Sequence, residues 1–389
     1  MVEQIQEQKR PAVWTRLVAR YSPGFKFGVF RILSRLAGTL PLRVTYTVAV
    51  LVGDAIYYCS HEHSANAVSN MRRVLGPRAG ERTIRRAARA SFRNYTKTLA
   101  DFARFPYMQA SEIDRRVVQH YGLEVMEQAQ AQNKGVIAVS GHIGNWDFAG
   151  AFMGRHGVPM YALADKFEPP QLDELVIQTR LRNGIHIIKM EAMAMRTIFE
   201  VIKRKEIVLL LVDRPMPNEG VQVQFFGETA WLPSGPAAIA LRTRAPIVIG
   251  YCIRERGDTT FTGGIAPALE YQHLITGNKQ ADIQAITQAI ATALEALIRR
   301  YPTQWYMFRP MWPRPATAAE ARRARRQARR QARGPRARRL YHARQSISRL
   351  RSRIRGGPPA ENASGMALGI SVDPPDVEEW IGTRGPQEP

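Results

Sequence analysis

From about residue 120 onward, the chain alternates between short apolar runs and longer amphipathic stretches. Apolar runs of about four to eight residues are typical of buried strands, whereas apolar residues spaced three or four apart are typical of helices that cover a sheet. The pattern predicts strands at 136–140, 159–163, 185–189, 207–212, 221–226, 246–253 and 259–266. It predicts helices at 121–132, 145–156, 171–183, 191–204, 235–243 and 279–300. This order indicates an α/β domain whose mostly parallel central sheet is flanked by helices and is completed by the later strands.

The N-terminal part of the chain has a different pattern. Residues 24–58 are apolar, but Arg and Lys residues and Asp54 interrupt them, so no stretch reaches the roughly 18 apolar residues of a membrane-spanning helix. Gly38 and Pro41 predict a break between two helices. The mixture of Phe, Ile, Leu and Arg is typical of a helix that lies in a membrane interface, and the alternative is an amphipathic helix packed on the domain. Residues 61–105 are predicted to be helical, with a basic face.

The composition changes again at residue 316. Residues 316–355 are rich in Ala, Arg and Gln and have no apolar stripe that could dock a helix, and residues 356–389 combine Pro, Gly and acidic residues, which is typical of disorder. We therefore predict five regions along the chain. These are an N-terminal extension (1–23), a helical membrane-associated region (24–118), an α/β domain (119–315), an Arg-rich tail (316–355) and a disordered tail (356–389).

The formal net charge of +23 favours an anionic partner. Residues 320–355 contain fifteen Arg and one Glu, and without that segment the chain still carries about +9. A basic surface suits the anionic headgroups of a membrane inner leaflet or a phosphorylated substrate. Cys59 and Cys252 lie far apart and lack metal-binding spacing, so we expect a reducing compartment and no metal site. We also expect no cofactor.

The main candidate for chemistry lies within residues 134–151. An apolar, largely β-branched run comes first, a Gly-rich break with His142 follows, and Asn145 can cap the next helix. His142 is then expected at the carboxyl end of a strand and Asp147 in the first helical turn, where α/β sheets hold their active sites. A carboxylate that orients the imidazole would make His142 a general base. The alternative is a turn histidine and an aspartate that only complements the helix dipole.

Two clusters of charged residues could surround His142. Asp213 and Arg214 come directly after a predicted strand, and Asp213 could position Arg214 to hold an anion. The alternative for that pair is a surface ion pair. Arg180 and Arg182 precede a glycine, and they could bind phosphate or complement the C-terminus of a helix.

A third cluster contains Phe226, Gly227 and Glu228 between a predicted strand and a predicted helix. Glu228 could reach back to His142 or bind an acceptor hydroxyl. The sequence has no nucleophile elbow, Walker loop, dinucleotide fingerprint or zinc motif. The expected reaction is therefore direct attack by a substrate hydroxyl that His142 activates.

Four blocks of the sequence resemble, in order, those of glycerolipid and lipid A acyltransferases. HIGNWD at 142–147 resembles the HxxxxD block, and LLVDR at 210–214 resembles the block that ends in a hydrophobic residue, Asp and Arg. FGET at 226–229 stands where the Glu-containing third block is found, and APIV at 245–248 resembles the fourth. The forms GHxGNWDxAG and FFGExAxxPxGPA are similar to the phosphatidylinositol mannoside acyltransferases within the lipid A biosynthesis acyltransferase family. The likeness covers about residues 25–312.

This resemblance implies transfer of a fatty acyl group from acyl-CoA or acyl carrier protein to a hydroxyl of a glycolipid such as a phosphatidylinositol mannoside, with a lipid A precursor or another phospholipid as the alternative acceptor. It implies that His142 takes the proton of that hydroxyl and that Asp147, Glu228 or both orient His142, with Glu228 favoured as the contact. Residues expected to bind the substrates are Asn145, Arg180, Arg182, Asp213, Arg214, Phe226 and Gly227. Candidate walls for an acyl-chain groove are Phe148, Phe152, Met153 and Phe226, and for each of them plain core packing is the favoured alternative. Attachment to the cytoplasmic face of the plasma membrane, monotopic or peripheral, is expected because both substrates are amphiphiles.

A nucleic-acid-binding protein is the main rival class. The Arg-rich tail could bind phosphates without sequence preference, but it lacks interleaved aromatic residues and no recognition module is visible. That interpretation leaves the block at 142–147 without a role, so nucleic acid is not the expected partner. A lipid-binding protein with an inactive acyltransferase fold is a further alternative, and the presence of His142, Asp147 and Glu228 argues against it.

Overall fold

The structure, a computed structural model, describes residues 23–217 and 219–312. The predicted Arg-rich and disordered tails lie outside the described residues, as do residues 1–22 of the predicted N-terminal extension.

Five helices form the N-terminal part of the described chain. They are α1 (Pro23–Thr39), α2 (Leu42–Cys59), α3 (His61–Leu75), α4 (Glu81–Arg104) and α5 (Ala110–Arg116). The predicted break between α1 and α2 is confirmed, because the chain leaves the helix at Leu40 and Pro41. α3 ends at Gly76, whose φ of 77° suits glycine and stops the helix. In residues 23–217 and 219–312, no helix combines the length and apolarity needed to cross a bilayer.

Among the described residues, seven strands form a central sheet and two form a separate hairpin. The strands are β1 (Val117–Tyr121), β2 (Val136–Ser140), β3 (Met160–Ala164), β4 (Ile185–Lys189), β5 (Ile207–Leu211), β6 (Val221–Phe225), β7 (Glu228–Leu232), β8 (Ile247–Arg254) and β9 (Phe261–Leu269). The remaining helices are α6 (Leu123–Ala131), α7 (Trp146–Arg155), α8 (Pro170–Leu181), α9 (Ala194–Lys203), α10 (Gly235–Thr243) and α11 (Lys279–Arg300).

The order of the central sheet is β1-β9-β8-β2-β5-β3-β4. The strands β2, β3, β4, β5 and β8 run parallel to one another. Strand β9 runs antiparallel to β8, and β1 runs parallel to β9. The predicted α/β fold with a mostly parallel sheet flanked by helices is therefore confirmed. The carboxyl ends of the parallel strands meet at one edge, which is where such sheets bind ligands.

One predicted strand has a different place from the one expected. The strand predicted at 221–226 does not complete the central sheet, because β6 pairs antiparallel with β7 in a two-stranded hairpin. The turn consists of Phe226 and Gly227, with φ of 53° and 80°. Two consecutive residues with positive φ make the turn type that matches the twist of a two-residue hairpin. The strands β1 and β7 were not predicted.

Strand β2 lies at the centre of the sheet with both faces covered. All five of its residues are buried. Ile137 and Val139 pack into one apolar core, and Val136 and Ala138 into the other, as the alternation of side chains along a strand requires. The loop that follows β2 is thus held on a rigid support.

Candidate active site

His142 and Asp213 meet because of the register of two neighbouring strands. β2 and β5 run parallel with Ser140 opposite Leu211, so the residues two positions further along each chain also face each other. The Nδ1 atom of His142 lies 2.6 Å from Oδ1 of Asp213, and the backbone N–H of His142 donates to Oδ2 at 2.8 Å. Asp213 therefore fixes both the backbone and the ring of His142.

Asp213 is fully buried and is kept ionised by its partners. Trp305 donates its indole N–H to Oδ2 at 2.8 Å. Burial alone would raise the pKa of Asp213, but the charge of His142 and the hydrogen bonds from His142 and Trp305 hold that pKa below its ordinary value. A Cβ at Gly141 would lie only 3.0 Å from Oδ2, so a larger residue there would crowd the carboxylate.

Asp147 has a different partner from the one expected. It lies buried in the first turn of α7, where Arg180 of α8 donates to its two oxygens at 2.7 and 3.3 Å. Thus Asp147 and Arg180 neutralise each other, and the carboxylate bonded to His142 is that of Asp213. Because Arg180 is buried in this pair, the carboxylate of Asp147 already compensates the charge that was predicted to hold a phosphate.

Asn145 performs the predicted capping role and has a second one. Its Oδ1 accepts from the backbone N–H of Phe148 at 3.1 Å, which caps α7. Its amide donates to Oδ2 of Asp101 on α4 at 3.2 Å. The turn that carries His142 is therefore tied to the N-terminal helices.

Asp101 is the centre of a buried charge network. It accepts hydrogen bonds from Tyr46 on α2, Arg116 at the end of α5 and Arg254 at the end of β8. Burial alone would raise the pKa of Asp101, but Arg254 and Arg116 lower it below the ordinary value. Burial and the neighbouring carboxylate raise the pKa of Tyr46. The network locks three helices and β8 around Asn145.

A cleft of about 490 Å³ opens in front of His142. The side chain of His142 is 20% exposed, and its Nε2 atom has no hydrogen-bond partner among the described residues. Trp146 packs edge-on against the imidazole, with ring centroids 5.6 Å apart. The apolar part of the wall includes Leu99, Phe102, Leu163, Phe167, Leu209 and Leu211. The free ring nitrogen therefore faces a space that suits an amphiphile.

The third cluster of the sequence lies away from His142. Glu228 begins β7, is about half exposed, and forms an ion pair with Arg73 of α3 at 2.7 Å. It is not part of the wall of the cleft. Phe226 is buried against Trp305 and Trp312, and Gly227 completes the hairpin turn. The expected contact between Glu228 and His142 is absent from the structure.

Two further predicted residues lie at the surface. Arg214 lines the cleft and pairs with Asp165 at 2.6 Å. Arg182 is exposed at the end of α8 and does not line the cleft. In the described residues, no group of three His, Cys, Asp or Glu side chains could hold a metal ion.

Residues 304–312, a segment rich in aromatic side chains, make contacts to the site that the sequence did not predict. The backbone N–H of Tyr306 donates to the carbonyl of His142 at 2.9 Å, and Gly144 donates to the carbonyl of Gln304 at 2.9 Å. Thr98 of α4 donates to the carbonyl of Gly144 at 3.3 Å. The aromatic residues near residue 305 stand out in the sequence. Nothing in the sequence shows that this segment packs against the turn that carries His142.

The sequence is similar to those of several known proteins. A model of the bacterial lipid A biosynthesis acyltransferases matches residues 24–314. A phosphatidylinositol mannoside acyltransferase of Mycobacterium tuberculosis (strain CDC 1551 / Oshkosh) is 29% identical over 277 residues, which is 69% of this chain and 83% of that protein. A protein of the same name from Mycolicibacterium smegmatis is 29% identical over 241 residues, 61% of this chain and 75% of its own length.

Proposed function

Because the chain belongs to the bacterial lipid A biosynthesis acyltransferase family, we propose that it transfers a fatty acyl group from an acyl thioester to a hydroxyl of a glycolipid. The proposed donor is acyl-CoA or acyl carrier protein. The proposed acceptor is a phosphatidylinositol mannoside, as the names of the relatives suggest. No cofactor is proposed.

The observation that carries this proposal is the pair of His142 and Asp213 at the cleft. Asp213 holds Nδ1, so the neutral ring carries its proton there and presents Nε2 as a base. A buried carboxylate in this position also stabilises the imidazolium that forms during the reaction.

The reaction follows from that arrangement. Nε2 of His142 removes the proton from the acceptor hydroxyl while its oxygen attacks the thioester carbonyl carbon. The tetrahedral intermediate then collapses, the carbon–sulfur bond breaks, and the leaving thiolate receives the proton from His142. The products are an ester on the acceptor and a free thiol on the donor. A positioned general base contributes roughly 10²-fold to 10⁴-fold in rate.

The acyl chain is proposed to lie along the apolar side of the cleft. A second, narrow apolar cavity of about 60 Å³ has Trp146 and Leu209 in common with the cleft. Phe152 and Met153, two of the predicted walls, line this cavity, while Phe148 is buried in the core. Methionine adapts its shape readily, so movement of Met153 would lengthen the space for the chain.

The proposed place of work is the cytoplasmic face of the plasma membrane, with monotopic or peripheral attachment. Both substrates are amphiphiles, and the outer sides of α1 and α2 expose apolar residues to solvent. These are Phe25, Val29, Ile32, Leu33, Leu36, Val44, Val48, Leu51, Val52 and Ile56. Arg31, Arg35 and Arg43 lie among them, and such a mixture suits an anionic interface.

The direct test is transfer of radiolabelled palmitate from palmitoyl-CoA to a polar lipid extract by the purified full-length protein. We expect label in a glycolipid with wild type and a loss of roughly 10²-fold or more with His142→Ala. His273→Ala is the matched control, because His273 is exposed and lies outside the cleft. Equal transfer by wild type and His142→Ala would contradict the assignment of the base. If wild type transfers from neither palmitoyl-CoA nor palmitoyl acyl carrier protein, the proposed function is wrong.

A further inference from the structure

The wall of the cleft has an excess of positive charge, and Arg309 carries it. The wall contains three arginines and two aspartates. Asp147 neutralises Arg180, and Asp165 pairs with Arg214. Arg309 is exposed, and among the described residues it has no ion-pair partner. The cleft therefore offers one uncompensated guanidinium to whatever binds there.

The backbone that carries Arg309 is held rigidly by α3. Asn70 is buried, and its amide donates to the carbonyls of Met307 and Arg309 at 2.8 and 2.9 Å. Asn66, also buried, donates to the carbonyl of Phe308 at 3.1 Å. Buried amides that bind three successive carbonyls fix the course of this segment. Only the side chain of Arg309 is left free to bind.

Arg214 lines the same cleft as Arg309, and it could leave its ion pair with Asp165 with little loss of stability. Its pair with Asp165 is about half exposed on both sides, and such surface pairs contribute little stability. An arginine fork binds two oxygens of a phosphate at once, with a geometry that a point charge does not match. We propose that Arg309, assisted by Arg214, forms a phosphate-binding subsite of the cleft.

The inference rests on the proposed function, which supplies two sources of phosphate. One source is the coenzyme A portion of the donor, and the other is the phosphodiester of an inositol phospholipid acceptor. Both present anionic phosphate oxygens to the same cleft. The two sources differ in which substrate loses affinity when Arg309 is replaced.

Equilibrium binding by calorimetry tests the subsite without relying on turnover. The probes are coenzyme A and dioctanoyl phosphatidylinositol, with dioctanoylglycerol as the probe that lacks phosphate. Loss of one charge-assisted, bidentate contact is expected to weaken binding of one phosphate probe about 10-fold to 100-fold in Arg309→Gln. Arg309→Lys keeps the charge and loses the fork, so an intermediate loss is expected. Arg78→Gln is the matched control, because Arg78 is exposed in the turn after α3 and lies outside the cleft.

The pattern of losses decides the source. Weaker binding of coenzyme A alone assigns the donor, and weaker binding of the phosphatidylinositol alone assigns the acceptor. Affinities of Arg309→Gln within twofold of wild type for both phosphate probes would overturn the inference, as would an equal loss in Arg78→Gln. Should wild type bind neither phosphate probe, the inference is also wrong.

Transfer assays separate this inference from the proposed function. Palmitoyl-CoA is compared with the palmitoyl thioester of N-acetylcysteamine, which has no phosphate. A donor subsite predicts a higher KM for palmitoyl-CoA alone in Arg309→Gln, with kcat retained. If wild type transfers from no donor, the proposed function fails, and the binding measurements still decide whether Arg309 binds phosphate.

Discussion

Asp213 bonds to His142 through both of its carboxylate oxygens, and strand register explains why it can do so. One oxygen meets the ring and the other meets the backbone N–H of the same residue. The indole of Trp305 supplies a third hydrogen bond, so the carboxylate cannot rotate away. Glu228, in contrast, lies at the surface with Arg73 as its partner. Replacement of Asp213 should therefore lower the rate of catalysis, whereas replacement of Glu228 should not.

We expect Asp213→Asn to lower kcat by roughly 10²-fold to 10⁴-fold, because an amide can no longer stabilise the imidazolium or select the correct tautomer. Glu228→Gln is expected to leave kcat near that of wild type and to cost at most about 1 kcal/mol of stability, because it weakens an exposed ion pair. Initial rates at saturating donor and thermal melting of both variants check this. A large loss of kcat in Glu228→Gln with normal activity in Asp213→Asn would reverse the assignment.

At the scale of elements, the sequence was most informative where apolar runs were short and clean. Strands 136–140 and 185–189 and helices 235–243 and 279–300 have the predicted bounds. Strand β1 was not predicted because four of its five residues are exposed at the edge of the sheet, so its sequence shows no alternation of buried apolar and exposed polar residues. The prediction that β6 joins the central sheet was wrong, because periodicity identifies a strand but not the strand with which it pairs.

The candidate site was predictable in part for the same reason. The sequence placed His142 and Asp213 after the ends of strands, but not after neighbouring strands. With the observed ends of β2 and β5, both residues stand two positions beyond the strand, and they meet because β2 and β5 are adjacent. The pairing of Asp147 with Arg180 depends on the packing of α7 beside α8, and residue spacing carries no information about that.

The N-terminal helices are joined by a second charged contact, away from the cleft. Asp54 on α2 accepts hydrogen bonds from Arg89 and Arg93 on α4 at 2.6 to 2.7 Å. The helices touch closely beside it, since a Cβ at Gly53 would lie 2.7 Å from Oγ1 of Thr96. The hydrogen bonds from Arg93 and Arg89 lower the pKa of Asp54 well below its usual range.

This contact predicts an acid-sensitive contribution to stability. A carboxylate with a lowered folded-state pKa stabilises the fold above its ordinary pKa of 3.8, and that contribution is lost as the pH falls through the folded-state pKa. Asp54→Asn is expected to reduce the free energy of unfolding by about 1 to 2 kcal/mol at pH 7, because it weakens charge-assisted hydrogen bonds to a mostly buried carboxylate. The difference from wild type should shrink steadily below about pH 4.

Urea unfolding of wild type and Asp54→Asn at pH 7 and pH 3 measures this change. Glu81→Gln is the control, because its pairs with Arg72 and Arg85 are exposed and should contribute little. A stability difference between wild type and Asp54→Asn that is the same at both pH values would show that the contact does not act through the charge of Asp54.

At the scale of the whole molecule, two separate forces are available to hold the protein at a membrane. Apolar side chains on α1 and α2 could be buried in the membrane interface, and salt does not weaken that hydrophobic contribution. The charge of the basic body and of the Arg-rich tail supplies attraction to anionic lipids, which salt screens within about 10 Å at 0.1 M. The proposed membrane attachment therefore predicts a dependence on both lipid charge and ionic strength.

We expect Leu36→Asp combined with Val48→Asp to reduce flotation with vesicles of phosphatidylglycerol and phosphatidylcholine at every salt concentration. Both side chains are about half exposed, so the fold should tolerate the change. Val118→Asp combined with Leu181→Asp is the matched control, because those residues are similarly exposed on β1 and α8. Equal flotation of the two double variants would contradict a membrane face on α1 and α2.

Deletion of residues 316–389 tests the electrostatic part of the same attachment. Each arginine near an anionic surface contributes up to about 1 kcal/mol, so the shortened protein should float less well at low salt. At high salt the deletion should matter little, because screening has already removed that attraction. RNA binding measured in parallel distinguishes the rival class: if the deletion abolishes RNA binding and spares flotation, the tail binds nucleic acid while the helices bind lipid. If the deletion abolishes flotation at every salt concentration, α1 and α2 do not hold the protein at the membrane by themselves.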